Sequence, residues 1–580
     1  MAFAVRPMNA FRIEGKPSAK SRLCTMNQRH FAFWPKRRPR EFPIPVTNVA
    51  NNLTVSAARF PHEPAIVYYD SPLTYARLSD EVERLAGYLQ HRAGVRKGDR
   101  VILFAQNSPQ FVIAYYAIMR ADAVVVPLNP MNVASELALY VEDSGATVAI
   151  AGQELAERLR PAFASGLAHV VVAAYSDYVE RETKLSLPPA VAAPRAPVAE
   201  AGFVAWADAL AANERPGPMT AGNDDIALLP YTSGTTGRPK GCVHTHRSVQ
   251  TTTLSVPIWG GVSSPGGRIL STLPYFHVTG MTCDMNSAIY TGSTLVMLTR
   301  WEAQTTLALI ERYQCTTMTA ISTMVVDLLA QPDFRPERIA SLGHLGGGGA
   351  PLPAAVGEQL KGRLGLDYME GYGLTETISM THANPPDRTK LQCLGIPTFG
   401  VDSRVIDPDS GRELAPGETG EIVISGAQVM REYWRRPEET AEAFLELDGK
   451  RFFRTGDLGY MDEEGYFFMV DRLKRMINAA GFKVWPAEVE TKLFAHPAVK
   501  EACVIASLDP RKGELVKALV VRRESADASG EDIIAWARGE MASYKVPAVV
   551  EFVDALPRSG TGKVQWRELQ ERENRRLQLA

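Results

Sequence analysis

Two rhythms of apolar residues alternate along the chain from about residue 53 onward. Leu78, Val82, Leu85 and Leu89 recur at i, i+4, i+7 and i+11, which places them on one face of a predicted amphipathic helix. The turn signal Arg96-Lys97-Gly98-Asp99 then precedes a short apolar run at 101–104, the length of a buried strand. A second helix is predicted over 109–120, a strand over 123–127 and a turn at Asn129-Pro130. The same strand–helix–strand alternation returns at 147–151 and 169–174 and predicts a parallel α/β architecture. Residues 188–197, rich in Pro and Ala, are predicted to form a surface loop. Over 401–465 the pattern changes to Val/Ile alternation broken by Asp407-Pro408, Asp409-Ser410-Gly411 and Pro416-Gly417, an antiparallel β section. After Asp471 it becomes short mixed α+β. No repeat at solenoid or propeller spacing occurs.

Composition narrows the classes. The 580 residues carry a formal charge of −2, unevenly distributed. Residues 1–41 hold ten basic side chains against Glu14 and Glu41, a charge of +8, so the remainder stands at −10. An acidic body argues against sequence-independent nucleic-acid binding, which rests on phosphate neutralisation. No apolar run approaches the roughly 20 residues of a membrane span. Six scattered cysteines without a C-x-x-C pair point to reduced thiols and a cytoplasmic location. The Arg-rich arm resembles an organellar transit segment in composition; the simpler reading, taken here, is a disordered extension over 1–41 that is dispensable for chemistry.

The densest chemical signal is residues 231–241, Tyr-Thr-Ser-Gly-Thr-Thr-Gly-Arg-Pro-Lys-Gly, directly after the apolar run 226–230. Gly234, Gly237 and Gly241 permit tight turns that aim several N–H groups at one anion. Thr232, Ser233, Thr235 and Thr236 add hydroxyl donors, and Lys240 adds a positive charge. The loop suits a polyphosphate. It is not a Walker A loop, because Arg238-Pro239 separate the second glycine from the lysine.

With the segments that follow it in order, this loop resembles the signature of the adenylate-forming superfamily of acyl-CoA synthetases, carrier-peptide adenylation domains and beetle luciferases. Residues 273–277, Leu-Pro-Tyr-Phe-His, resemble the segment whose histidine lies between acid pocket and nucleotide, which gives His277 a gate role. Residues 345–353 resemble the segment flanking adenine and the acyl pocket, bringing in Gly348, Gly349, Ala350 and Pro351. Residues 368–377, Tyr-Met-Glu-Gly-Tyr-Gly-Leu-Thr-Glu-Thr, match the most diagnostic segment after the loop and bring in Glu370, Gly371, Tyr372 and Gly373. By this resemblance Tyr372 stacks on adenine, Thr375 meets the α-phosphate and Glu376 helps hold Mg²⁺. Phe453-Arg454-Thr455-Gly456-Asp457 stands where relatives have Tyr-Arg-Thr-Gly-Asp, so Asp457 is expected to receive the ribose hydroxyls. Asp471-Arg472-Leu473-Lys474 resembles the hinge, with Arg472 on the ribose and Lys474 as pivot; relatives often begin it with Gly. Gly481, Phe482 and Lys483 fall in the segment lining the pantetheine tunnel, and Lys563 in Ser-Gly-Thr-Gly-Lys is the expected catalytic lysine.

The resemblance implies an α/β fold class: a large N-terminal domain of two α/β subdomains plus a β-rich subdomain over 42–473, and a small mobile α+β lid over 474–580. It implies ATP, Mg²⁺ and coenzyme A as cofactors and a two-step reaction, acyl-AMP formation followed by transfer to CoA. Two anions meet in the first step, so preorganised cations and N–H donors are needed at the reacting centre. Lys563 suits that role as a flexible point charge. No Gly-x-Ser-x-Gly elbow suggests a covalent enzyme intermediate. The partners expected are small molecules, with a homodimer left open.

The acid pocket is expected to be walled by 281–288, 319–324 and 346–351, mostly small, apolar or hydroxylated, with no Arg or Lys for a second carboxylate. A medium- to long-chain fatty acid is therefore the expected substrate and an aryl acid the alternative. An amino-acid-activating domain would need an acidic group near Tyr275-Phe276-His277, where only Asp284 is close. A luciferase-like oxygenase has no positive support, and intact Lys563, Glu376, Asp457 and Arg472 argue against an inactive binding homologue.

Overall fold

The computed structural model describes residues 28–232, 239–261, 266–349, 351–479, 482–509, 513–523, 527–558 and 564–578. Two large sheets carry the N-terminal part. The first runs Ile396–Pro397, Ser379–Ala383, Tyr368–Leu374, His344–Gly348, Thr317–Thr319, Arg268–Ser271, Thr294–Met297, Pro64–Tyr68 and Ser71–Thr74. Its six central strands are parallel, and antiparallel neighbours close both edges. The second runs His244–Thr245, Ile226–Leu228, Val124–Pro127, Arg100–Phe104, Val148–Gly152, His169–Ala173 and Phe203–Ala205, parallel apart from the first pair. Strands such as Val124–Pro127 are buried at every position. That is why they read as continuous apolar runs, as strands covered on both faces do.

The helix Pro109–Arg120 follows the predicted 109–120 and is buried along its whole length up to Met119. Ser108 caps it by accepting the Phe111 N–H, and Pro109 occupies the first turn, where no N–H is missed. The predicted helix around Leu78–Leu89 spans Tyr75–His91. Residues 188–197 are not wholly a loop: Pro189–Ala192 form a helical turn that buries Val191, an apolar anchor that the Pro/Ala composition masked.

The predicted antiparallel section is a five-stranded sheet of Asp402–Ile406, Gly420–Ser425, Lys450–Met461, Phe444–Leu447 and Phe467–Arg472. Beyond it, Phe482–Val484, Ile477–Ala479, Gly513–Arg522, Val499–Asp509 and Val549–Phe552 form a separate sheet over a core of its own. No described helix is long and apolar enough to cross a membrane.

The basic arm differs from expectation. Residues 1–27 lie outside the described residues, yet Arg29–Phe33 form a 3₁₀ turn packed on the body. Trp34 sets its ring edge-on against Trp259 at 4.9 Å and Phe399 at 5.3 Å, and Phe42 packs on Phe399. Arg29 pairs with Glu463. Residues 29–41 are therefore not part of a disordered extension as expected, because Phe33, Trp34 and the neighbouring Phe42 bury apolar surface that a charge count does not register.

Candidate active site

The candidate residues gather at the carboxyl ends of the parallel strands and along the adjoining edge of the antiparallel sheet. This is where open α/β sheets place ligands. Thr232 and Lys240 pair across a two-stranded hairpin, Tyr231–Thr232 with Lys240–Gly241. Ser233, Gly234, Thr235, Thr236 and Gly237, which join its two strands, lie outside the described residues, as do Ala350, Gly481 and Lys563. Phe482 and Lys483 are described as backbone only, in the strand Phe482–Val484.

The segment bearing Thr375 and Glu376 is a 3₁₀ turn, Thr375–Thr377, after the strand Tyr368–Leu374. Two residues absent from the sequence reading hold it. His244 donates from Nε2 to the Thr375 carbonyl at 2.7 Å. Burial drives its pKa down to about 4, so the ring is neutral and that proton assignment is fixed by the acceptor. Tyr433 donates its hydroxyl to Glu376 Oε1 at 2.9 Å, and its ring lies 5.1 Å from Lys240 Nζ. Tyr433 is in turn pinned by backbone pairing. Val243 N–H donates to Glu432 O, Arg431 N–H to Val243 O and Trp434 N–H to Gly241 O. One aromatic side chain thereby joins the loop lysine to the candidate metal carboxylate. Burial raises the Glu376 pKa, and the Tyr433 hydroxyl opposes that rise.

Asp457 is fully buried and faces Arg472 across a register pair of neighbouring strands. Arg472 Nε lies 3.0 Å from Asp457 Oδ1, and the Tyr372 hydroxyl donates to Oδ2 at 2.6 Å. The expected adenine-stacking and ribose residues thus form one connected unit. Glu370, expected among the nucleotide-binding residues, turns its carboxylate to backbone donors. Its two carboxylate oxygens accept the N–H groups of Leu352 and Cys393, each at 2.9 Å. This carboxylate fixes the 351–352 segment from beneath and is spent on backbone donors. Gly348 and Gly371 are neighbours in register, and a Cβ on Gly348 would stand 2.3 Å from the Gly371 carbonyl oxygen, so only glycine admits that approach. Gly349 adopts φ +88°, and Pro351 follows on the exposed side of the segment.

His277 is half-buried and accepts, at a long 3.4 Å, the Thr279 N–H. Asn107 clamps the segment that carries it, accepting the Tyr275 N–H and donating to the Leu273 carbonyl, both at 2.8 Å. No motif marked Asn107 in the sequence. Lys474 sits in the 3₁₀ turn Leu473–Arg475, its pKa lowered first by burial and then by Arg567 and Lys240 nearby. Asp471, the departure from glycine, accepts the N–H groups of Arg472 at 2.6 Å and Ala487 at 2.7 Å. It ties the turn to the helix Pro486–Leu493 that follows.

The hairpin that carries Thr232 and Lys240, the buried Asp457 with Arg472, and Glu376 joined to Lys240 through Tyr433 stand together on this doubly sheeted scaffold in the arrangement expected of an adenylate-forming ligase. Residues 53–434 match the AMP-binding enzyme family and residues 488–563 the AMP-binding enzyme C-terminal domain. The chain belongs to this family, as an AMP-forming acyl-CoA ligase. It is 34% identical to the long-chain-fatty-acid–CoA ligase of Bacillus subtilis (strain 168) over 551 residues, covering 93% of this chain and 97% of that protein. It is 36% identical to a feruloyl-CoA synthase of Amycolatopsis sp over 508 residues, covering 87% and 94%. Among solved structures, ATP-bound MatB from Rhodopseudomonas palustris superposes with a TM-score of 0.80 at 29% identity, covering 91% of this chain and 99% of that one.

Proposed function

We propose that the enzyme transfers the AMP portion of ATP to a largely apolar carboxylic acid, a fatty acid of medium to long chain, with release of pyrophosphate, and then passes the acyl group from the adenylate to the CoA thiol with release of AMP. The observation that carries this reading is the connected unit Tyr372–Asp457–Arg472 beside Glu376–Tyr433–Lys240. Asp457, already holding Arg472, presents a buried anion suited to receive ribose hydroxyls, and Tyr372 leans on it from the side expected for the base. His244 fixes Thr375 from behind, so that its hydroxyl is held for an α-phosphate oxygen without reorganisation. Lys240 and the N–H groups of the loop suit the departing pyrophosphate.

Mg²⁺ fits the donor set. Glu376 spends Oε1 on Tyr433 and keeps Oε2 as a hard oxygen, and a cation that stays mainly on phosphates and water asks little more of the protein. When bound it neutralises charge between the phosphates. The body 42–473 and the lid 474–580 are proposed to turn about Lys474, withdrawing Lys563 after adenylation and bringing the 481–483 segment to the pantetheine arm. Free thiols at all five described cysteines support a reducing, cytoplasmic setting.

The test separates the half-reactions. Lys563→Ala is expected to abolish ATP–pyrophosphate exchange while thioester formation from synthetic acyl-AMP survives. Equal loss of both steps in folded protein refutes the two-state lid. CoA thioester formation from acetate, octanoate, palmitate, benzoate and coumarate, compared side by side, ranks the acids. The aryl acid is the second reading, favoured by the 36% identity to a feruloyl-CoA synthase of Amycolatopsis sp.

A further inference from the structure

Arg475 directly follows the proposed pivot Lys474, and its side chain is only 13% exposed. It meets three elements of the lid at once. Nη1 donates to Glu490 Oε2 at 3.3 Å and Nη2 pairs with Glu490 Oε1, on the helix Pro486–Leu493. Nη2 also donates to the Val504 carbonyl at 3.2 Å, on the strand Val499–Asp509. The guanidinium lies 5.6 Å from the ring centroid of Trp566, the residue that opens the helix Trp566–Gln578. Glu490 Oε1 in turn accepts the Val504 N–H at 2.7 Å, so both members of the ion pair are tied to the same backbone position. Across the pivot, Arg475 faces Asp471 at 3.8 Å.

An ion pair this enclosed is a poor device for stability alone, because desolvating two charges offsets most of their attraction and apolar side chains of the same volume would pack as well. What it supplies is geometry: a planar guanidinium fits one arrangement of carboxylate, carbonyl and ring. That geometry bears on Trp566. Farther along its helix, Gln570 exchanges two hydrogen bonds with the backbone of Ala506, at 2.9 and 2.7 Å, and Glu573 accepts from Lys517 at 2.6 Å and Ser507 at 2.7 Å. The first turn is held through the Trp566 ring, which packs on the lid cluster of Cys503, Ile505 and Leu519 and carries the guanidiniums of Arg475 and, at 5.4 Å, Arg567. This turn faces the candidate site. Arg567 lies close enough to Lys474 to lower its pKa, and is itself lowered first by burial and then by Arg472. Lys563 precedes Trp566 by three residues in the chain.

We infer that Arg475 and Trp566 are positioning residues for the adenylation step: their contact makes the residue after the pivot and the helix after Lys563 one rigid piece, so that Lys474 is the single free joint and Lys563 arrives at a fixed point. The inference rests on the ligase reading above and on the proposed turn about Lys474. A second soft joint at Arg475 would leave the lid folded and spread Lys563 over a range of positions. A misplacement of about 1 Å at a reacting centre costs on the order of 100-fold in rate. Acyl transfer from a ready-made adenylate, for which Lys563 is withdrawn, has no such demand.

Each variant is read as a ratio, the rate of ATP–pyrophosphate exchange over that of CoA thioester formation from synthetic acyl-AMP, taken within one preparation so that partial misfolding cancels. Trp566→Leu keeps an apolar side chain on the lid cluster and removes the ring; its ratio is expected to fall about fivefold or more. Trp566→Phe keeps a ring for the guanidinium and is expected to stay within about twofold of wild type. Arg475→Lys, which keeps a charge toward Glu490 and loses the planar fork, is expected to fall between them. A role in packing alone would make the Leu and Phe variants alike. Equal ratios for those two, or a wild-type ratio in Trp566→Leu, overturn the positioning role while the ligase reading stands. A wild-type enzyme that performs neither half-reaction overturns both.

Discussion

Replacing Tyr433 by Phe removes one hydroxyl and leaves the ring. That hydroxyl donates to Glu376 at 2.9 Å, and the ring's 5.1 Å approach to Lys240 is untouched. The backbone pairing of 430–434 with 241–243 involves no side-chain atom, so the fold should survive. A hydrogen bond to a charged acceptor contributes about 1.5–3 kcal/mol. Glu376 is half-buried, so the lower end applies, about 1.5 kcal/mol or roughly tenfold. Freed from Tyr433, the carboxylate is no longer held in one rotamer with Oε2 presented. The expected result is a roughly tenfold rise in the Mg²⁺ concentration needed for half-maximal ATP–pyrophosphate exchange, with a smaller change in maximal rate at saturating metal. Tyr433→Leu should add the loss of the cation–π contact, about 0.5–1 kcal/mol, as weaker binding of pyrophosphate in the reverse direction. Unchanged Mg²⁺ dependence in folded Tyr433→Phe protein would refute the link between this hydroxyl and the proposed metal role of Glu376.

Other consequences follow from the same geometry. A Cβ on Gly373 would lie 1.6 Å from the Ser379 carbonyl oxygen, so Gly373→Ala should cost more than about 2 kcal/mol and abolish adenylation, whereas Gly371→Ala, whose nearest neighbour would be 3.3 Å away, should be mild; equal thermal shifts would contradict this. Ile378 and Ser379 hold φ of +45° and +83°, and Ser379→Gly should raise stability by up to about 1 kcal/mol by relieving that strain, a gain read from urea midpoints. Burial lowers the pKa of His30, His244, His246 and His344 to about 4 and of His382 to about 3, against an ordinary 6.5. The unfolded chain therefore binds protons that the folded one refuses as pH drops below 6.5, and stability present above that pH should fall by up to about 7 kcal/mol per pH unit near pH 5; a flat urea midpoint between pH 6.5 and 5 would exclude it. Deleting residues 1–25 should leave turnover and melting unchanged, while Trp34→Ala, which uncovers Trp259 and Phe399, should cost about 2–3 kcal/mol by urea denaturation.

The extent to which the chain was legible from its sequence divides along a physical line. Buried parallel strands and the helix Pro109–Arg120 were readable because burial on all sides forces long apolar runs and because Ser108-Pro109 is a local start signal. Motif residues were readable because a phosphate cradle needs glycines and hydroxyls close together in the chain. His244, Tyr433 and Asn107 were not. Each acts across more than 50 residues on a group that a motif had marked, and a lone His, Tyr or Asn in an ordinary strand or loop carries no local pattern. Glu370 shows the converse: it lies inside the most diagnostic segment, and its carboxylate is consumed by the N–H groups of Leu352 and Cys393, partners that no motif announces. Membership of a motif fixes where a residue sits in the chain, and the partners of its side chain decide what it does.

The residues that hold the motif groups share one property that bears on mechanism. His244 reaches Thr375 from the edge of the second sheet, Tyr433 reaches Glu376 from the approach to the antiparallel sheet, and Arg472 reaches Asp457 from the strand that enters the hinge. Cys283 meets Ser379 at 3.6 Å and brings the acid-pocket turn against the strand that follows Glu376. Each of these candidate site groups is thus held by an element other than its own. An arrangement of this kind keeps donors fixed where charge develops, since no single local fluctuation releases both members of a pair. It also gives the hinge a direct consequence: Arg472 and Asp471 are adjacent, one on the candidate ribose carboxylate and the other on the Ala487 N–H of the lid. The proposed rotation about Lys474 would therefore either carry Asp471's bond to Ala487 or break it. Asp471→Gly, which restores the residue that relatives often have, should loosen that tie and change the ratio of the two half-reaction rates while leaving nucleotide affinity alone.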